Sequence, residues 1–228
     1  MKTCYYLGWF NDFFPTYLAN ALSRDVTDRQ SLVMISSDPA STAVNGVIEQ
    51  SWLQEAGILF NDSHVINYEM DRTNAKHLLD AASMIFLLGG DTIKQNQFIH
   101  EYDLIQSIQQ SDAIVLGASA GAINMSSSWL CSPNMGYNVT TSTIFQGVAL
   151  NDFSMLSHFN LEQHMHVVKQ ELASFSEEIP IYLSNKDCAL RVQGDQFDIF
   201  GDVYLYSNRN MTKLPETKSF ATNFSPLL

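Results

Sequence analysis

Short apolar runs of strand length alternate with longer helical patterns through most of this chain. This alternation is typical of a parallel sheet whose strands are joined by crossover helices. A chain of 228 residues is long enough for one sizeable core and short for two full domains. We therefore expect one α/β domain over residues 1–212, with a β-hairpin around residues 193–195 and a tail at 213–228.

The pattern predicts individual elements. Strands are expected at 3–8, 32–36, 64–68, 84–88, 113–118, 155–159, 179–183, 189–192, 197–200 and 203–206. Helices are expected at 13–23, 40–56, 74–82, 101–110 and 161–172. The polar stretch 126–143 is expected to be irregular, with at most one short strand.

The charge balance excludes several classes of partner. A formal net charge of −12 repels phosphate backbones and anionic membranes, so we expect neither nucleic-acid nor membrane binding. No run approaches the roughly 20 apolar residues of a membrane span, and the first residues lack a signal-peptide pattern. Three scattered cysteines indicate neither a disulfide framework nor a zinc site. A cytoplasmic protein with no metal and no cofactor is expected, and its oligomeric state stays open, a homodimer included.

Ser119 lies in the run Gly117-Ala-Ser-Ala-Gly121, between an apolar strand candidate and a helix-forming segment. A serine with glycine two positions to either side, between a strand and a helix, is the pattern of a nucleophile elbow. The glycines are needed because neighbouring backbone comes close to the residue at the tip of such a sharp turn. Ser119 is the candidate nucleophile.

A serine hydroxyl needs a base, and His158 is the best-placed candidate among six histidines. It ends the strand candidate at 155–159, and the ends of parallel strands gather functional groups at one sheet edge. His77 and His100 fit surface helices and His64 a strand start. His164 and His166 are two residues apart on a helix, so they diverge and cannot share a metal.

A glycine-rich loop, Gly89-Gly-Asp-Thr92, follows the buried strand at 84–88. Consecutive backbone N–H groups of Gly89 and Gly90 can form a small anion-binding nest. Together with the N–H of Ala120 they would make an oxyanion hole. The other two loop residues, Asp91 and Thr92, are candidate substrate contacts.

These three motifs, in this order and spacing, resemble the peptidase E and cyanophycinase family of serine peptidases over roughly residues 1–205. The resemblance implies a three-layer α/β/α sandwich with a mostly parallel sheet, similar to the class I glutamine amidotransferase domain. It implies that Ser119 is the nucleophile, that His158 is the base, and that Gly90 and Ala120 give the oxyanion donors. Peptidase E-like members remove N-terminal aspartate from short peptides, so a small aspartyl peptide is the implied substrate.

The chain departs from the family where the triad acid is expected. That position is Asn134, and no Asp or Glu occurs between Ser119 and Asp152. Asn134 is therefore the first candidate for orienting His158. The alternatives are Asn138, Asp152, Glu162 and Asp187. A milder departure is Ser157, where the family usually has proline.

Two other functions stay open. The missing acid is also compatible with a catalytically impaired relative that binds a peptide or metabolite. An α/β-hydrolase esterase is disfavoured, because its histidine normally follows the last strands and here the last histidine is His166. Arg191 is a candidate for binding an acidic substrate side chain.

Overall fold

The computed structural model describes residues 2–41 and 46–217. Its centre is a seven-stranded sheet with strand order β11-β10-β1-β5-β4-β2-β3. Five adjacent strands are parallel, and β10 and β11 add an antiparallel hairpin at one edge. The strands are β1 (Thr3–Leu7), β2 (Ser31–Ile35), β3 (Asp62–Ile66), β4 (Met84–Leu87), β5 (Ile114–Ala118), β10 (Ala189–Gln193) and β11 (Gln196–Phe200).

Helices cover both faces of this sheet, as the alternating pattern predicts. They are α1 (Thr16–Asp25), α2 (Val47–Glu55), α3 (Arg72–Asp80), α4 (Thr92–Glu101), α5 (Ile105–Gln110), α6 (Ala120–Met125), α7 (Leu161–Glu171) and α8 (Phe175–Glu178). Successive side chains of a strand point to opposite faces, so Tyr5 and Tyr6 of β1 belong to different cores. The three-layer α/β/α sandwich is thereby confirmed.

A second sheet of four strands, in the order β13-β12-β9-β8, lies beside the main one. Its strands are β8 (Ser154–Leu156), β9 (Ile181–Ser184), β12 (Val203–Ser207) and β13 (Asn210–Lys213). A third apolar cluster joins this sheet to α7 and α8 through residues such as Phe159, Val168 and Leu183. The stretch expected to be irregular holds the two-stranded sheet of β6 (Ser128–Cys131) and β7 (Thr143–Gln146), with a 3-10 turn at Pro133–Met135 between them.

Two predictions from the sequence are wrong in this part of the chain. The helix expected at 101–110 begins only at Ile105, after Asp103 with its φ of 55°, and the preceding helix α4, capped by Asp91 through the N–H of Lys94, was not expected. The second wrong prediction is the start of the tail, because residues just after the expected start at 213 still bond to the fold. Leu214 and Thr217 donate backbone hydrogen bonds to Val203 and Ile199, while residues 218–228 lie outside the described part.

In the described residues, no helix is both long enough and apolar enough to cross a membrane.

Candidate active site

Ser119 occupies the tight turn between β5 and α6. Its φ of 49° and ψ of −104° are unusual for a residue with a side chain, as expected at a nucleophile elbow. A Cβ at Gly121 would overlap the carbonyl group of Leu87, and one at Gly117 would lie 2.6 Å from the carbonyl carbon of Gly121. The flanking glycines are therefore required by close backbone contacts, as their spacing predicts.

His158 lies against the serine. Its Nε2 is 2.6 Å from the Oγ of Ser119, within the range of a direct hydrogen bond. Two contacts fix the surrounding backbone: the Ser157 hydroxyl donates to the carbonyl of Ser119 at 3.3 Å, and the N–H of Phe159 donates to the carbonyl of Ser184 at 2.9 Å. The structure thus brings together the serine and histidine that the sequence selected.

The path of the chain to this contact differs from the expectation. We expected both residues to end strands of one parallel sheet, whereas β8, which leads to His158, belongs to the second sheet. β8 is also shorter than predicted, and His158 itself has a φ of 61°. The serine and the histidine therefore come from different sheets and meet at their junction.

The ring of His158 is held in its neutral form. Burial lowers its pKa below the usual value, and the positive charge of Lys186 lowers it further. A neutral imidazole is the form that can accept a proton from a serine hydroxyl.

No carboxylate of the described residues contacts the ring nitrogens of His158. Within residues 2–41 and 46–217, the only hydrogen bond of the ring is the contact with Ser119. Asn134 makes no hydrogen bond with the ring, and its Nδ2 donates to Glu171 at 2.6 Å. The other candidates, Asn138, Asp152, Glu162 and Asp187, make no hydrogen bond with the ring either. Among the residues that the structure describes, His158 therefore has no direct acidic partner.

Two oxyanion donors were expected in the loop after β4, the N–H groups of Gly89 and Gly90, and one of them is already used inside the protein. The N–H of Gly89 donates to the buried carboxylate of Glu49 at 3.0 Å, and the Ser37 hydroxyl donates to the carbonyl of Gly89. Gly89 is therefore wrong as an oxyanion donor. Gly90, with a φ of 133°, and Ala120 have N–H groups without a protein acceptor in the described part of the chain.

A cavity of about 460 Å³ opens over the serine. It is lined by Gly90, Thr92, Ser119, Asn134, Tyr137, His158 and His164, with apolar side chains between them. Burial raises the pKa of Tyr137 to about 12, so this residue presents a neutral hydroxyl at neutral pH. Of the predicted substrate contacts, Thr92 lines the cavity, whereas Asp91 caps α4 from an exposed position.

Arg191 does not reach this cavity. It is 4 % exposed in the middle of β10, where its guanidinium pairs with Asp25 at 2.5 Å and Asp198 at 2.9 Å and bonds to Gln193. Its proposed role in binding an acidic side chain is therefore wrong, because its donors are used inside the protein.

Sequence reasoning missed several residues that shape the site, among them Glu49, Tyr137, His164 and Glu171. Glu49 and Glu171 reach the site through contacts distant in sequence: 40 positions separate Glu49 from Gly89, and 37 separate Glu171 from Asn134. No local motif marks them.

Comparison with known proteins identifies the family. The model of peptidase family S51 matches residues 42–200, which is more than half of the chain. No curated protein matches this chain.

Two solved structures share the fold. A peptidase from an acI-B1 Actinobacterium is 18% identical with a TM-score of 0.69, and the alignment covers 96% of each chain. A protein described as a peptidase E, from Listeria monocytogenes EGD-e, is 17% identical with a TM-score of 0.60, covering 94% of this chain and 100% of its own. At such identities these likenesses concern the fold.

Proposed function

Because this chain belongs to peptidase family S51, we propose that it is a serine-type peptidase that cleaves a small peptide through an acyl-enzyme. The observation that carries the proposal is the 2.6 Å contact between Ser119 Oγ and His158 Nε2 at a strained elbow. A serine with a neutral histidine in hydrogen-bond reach is the arrangement that nucleophilic acyl transfer requires.

The proposed reaction follows from these positions. As Ser119 Oγ bonds to the peptide carbonyl carbon, its proton passes to His158 Nε2. The N–H groups of Gly90 and Ala120 then stabilise the oxygen on which negative charge develops. The C–N bond breaks as His158 gives the proton to the leaving amine, and water repeats the sequence to release the acid and regenerate Ser119.

A short peptide fits the size of the cavity, which at about 460 Å³ lies in the range of small-ligand sites. We propose an aspartyl peptide as the first substrate to test, because the motifs resemble peptidase E and one structural neighbour is described as that enzyme. With Arg191 buried in ion pairs, recognition of an acidic side chain falls to other groups.

The test is labelling by a fluorophosphonate together with hydrolysis of the dipeptide Asp-Leu. Wild type and the control Ser107→Ala, at a partly exposed serine of α5, should label and hydrolyse alike. Ser119→Ala should abolish both signals. Hydrolysis that survives Ser119→Ala would refute the mechanism.

The absence of a carboxylate beside His158, among the described residues, favours one second candidate. This is a protein that keeps the cavity to bind a peptide without cleaving it. Calorimetry would then detect peptide binding in wild type, without fluorophosphonate labelling and without hydrolysis of a panel of dipeptides.

A further inference from the structure

The cavity over Ser119 has no charged wall. Among the residues that the structure describes, no lysine, arginine, aspartate or glutamate lines it. Apart from two serines, its polar side chains are those of Thr92, Asn134, Tyr137, His158 and His164. Hydroxyl and amide groups are neutral at pH 7, so only the two histidines could offer a positive charge to a substrate.

His164 is uncharged in this structure. Its Nδ1 accepts a hydrogen bond from the backbone N–H of Asn160 at 3.0 Å. A ring nitrogen that accepts carries no proton, so the proton of this imidazole is on Nε2 and the ring is neutral. His158 is kept neutral by burial and by the charge of Lys186. Before the reaction begins, neither ring therefore provides a counter-ion for a substrate carboxylate.

Charged groups around the cavity do not replace the missing counter-ion. Asp91 caps α4 from an exposed position, and Glu171 accepts a hydrogen bond from Asn134 Nδ2 at 2.6 Å, which brings a negative charge to the lining from outside. Lys186 acts on His158, but it is exposed and does not line the cavity. The net charge of −12 adds to the repulsion of an acidic ligand.

The other side chains of the lining are apolar, namely Ile123, Met135, Leu156, Phe159 and Val167. Phe159 belongs to the third apolar cluster, against which Met135 and Leu156 pack. The fold thus holds these side chains in place, and they form a surface on which burial of an apolar side chain is favourable.

A substrate has to enter this lining in order to react. Its carbonyl carbon must come within about 3–3.5 Å of Ser119 Oγ, so the groups next to that carbon lie inside the cavity. A charged side chain there would lose its water and gain no ion partner, which is costly. An uncharged side chain incurs no such cost.

We propose that this site selects peptides with an uncharged, apolar residue at the scissile bond, such as leucine, in preference to aspartate. The inference rests on the proposed function for the reaction and narrows its substrate class. Aspartyl peptides are then substrates, but poor ones.

The experiment compares kcat/KM of wild type for Asp-Leu, Asn-Leu and Leu-Leu, in which only the first residue changes. Asn-Leu has nearly the size and shape of Asp-Leu, so this pair isolates the effect of the charge. Asn-Leu should be hydrolysed at least about tenfold more efficiently than Asp-Leu, and Leu-Leu more efficiently again. Calorimetry on Ser119→Ala should give the same order of affinities, because binding requires no reaction at the serine.

One substitution in the lining should shift this preference. Val167 lines the cavity from α7 and is half-buried. Val167→Arg adds a guanidinium there, so the ratio of kcat/KM for Asp-Leu to that for Asn-Leu should rise at least about tenfold. Val167→Met adds length without charge and should not raise the ratio. Leu59→Arg adds the same charge at a residue that is 61% exposed and outside the lining, and it should match wild type.

The inference is overturned if wild type hydrolyses Asp-Leu as efficiently as Asn-Leu, or if Ser119→Ala binds the two equally. It is also overturned if Val167→Met raises the ratio as much as Val167→Arg, since charge would then not be the cause. Should circular dichroism show that Val167→Arg is unfolded, the comparison of substrates in wild type decides. Wild type without Ser119-dependent fluorophosphonate labelling would instead refute the proposed function, and the order of affinities would still decide the preference.

Discussion

At the scale of single residues, the charge state of His158 sets the pH range of the proposed reaction. Its pKa is lowered by burial and then by Lys186, so the ring stays neutral to lower pH than an ordinary histidine. The rate should rise with pH through this lowered pKa, because only the neutral ring accepts the proton of Ser119. Lys186→Met removes a positive charge, so the midpoint of kcat/KM against pH should move to higher pH.

The control for this shift is Lys169→Met, which removes an exposed charge from α7. Its midpoint should coincide with that of wild type when both profiles are measured at low ionic strength, where surface charges are screened least. A midpoint that moves to lower pH in Lys186→Met would contradict the electrostatic assignment.

The sequence indicates Ser119 and His158 because each stands in a short pattern with a local physical meaning. Glu171 cannot be found that way, since it contacts Asn134 across 37 positions and has nothing unusual around it in the sequence. Arg191 illustrates the converse. A lone arginine in a strand says nothing of its partners, and here those partners, Asp25 and Asp198, lie inside the protein.

At the scale of elements, the elbow between β5 and α6 depends on Gly121. Alanine there would place its Cβ on the carbonyl group of Leu87, and a backbone atom cannot move aside easily. We expect Gly121→Ala to lower the free energy of unfolding by roughly 3 kcal/mol, and more if the strand cannot shift. Urea denaturation measures this change.

Gly57→Ala is the matched control for this substitution. Gly57 follows α2 with a φ of 72°, and a Cβ there would meet nothing within 4 Å. It should cost only about 1–2 kcal/mol, the strain of a left-handed alanine. Equal losses at the two positions would show that contact with Leu87 is not the cause.

Glu49 supports the loop between β4 and α4 by accepting a hydrogen bond from the N–H of Gly89. Burial raises the pKa of the Glu49 carboxyl group. Glu49→Leu should leave the N–H of Gly89 without its acceptor, which costs about 1–3 kcal/mol of stability, and should displace the adjacent N–H of Gly90. Because that N–H is the proposed oxyanion donor, kcat should fall with KM little changed.

Glu49→Gln keeps an acceptor oxygen and should lose less than Glu49→Leu in both stability and kcat. Glu55→Gln, at an exposed position of the same helix, should resemble wild type. An unchanged kcat in a folded Glu49→Leu protein would remove Glu49 from any role in the oxyanion hole.

At the scale of the whole molecule, Arg191 joins distant parts of the chain. It pairs with Asp25 at the end of α1 and with Asp198 of β11, and all three groups are largely buried. Arg191→Met would leave the Asp198 carboxylate without this cation and Asp25 with only the more exposed Arg24, so we expect a loss of about 3–5 kcal/mol. Arg209→Met breaks an exposed pair with Glu177 and should cost no more than about 1 kcal/mol. The activity per folded molecule should be unchanged in both.

This network also makes stability depend on pH. Burial works to raise the pKa of Asp25, but hydrogen bonds from Arg191 and Tyr5 outweigh it, and the pKa is lowered. A carboxyl group whose pKa is lowered on folding stabilises the folded protein when the pH is above its pKa in the unfolded state. That contribution is lost as the pH falls through its pKa in the folded state. Arg191→Met should therefore flatten the decline of unfolding free energy on the acid side.

The alternation of strands and helices suffices to predict the layered architecture, because each buried strand and each amphipathic helix has its own local period. Which sheet a strand joins is a different matter. β8 pairs with β9 across more than 20 residues, and no local pattern carries that choice. The same limit hid α4, whose first turns are polar and whose start is marked only by Asp91.

Ser119 follows a strand of the main sheet and His158 follows a strand of the second sheet. Their hydrogen bond is therefore sensitive to the relative position of the two sheets. A hydrogen bond fails once its partners separate by less than an ångström, whereas apolar packing tolerates small slippage. On gradual addition of urea, hydrolysis should therefore fade while the circular dichroism signal is still that of the folded protein. The active centre would report the loosening of the molecule before the molecule unfolds.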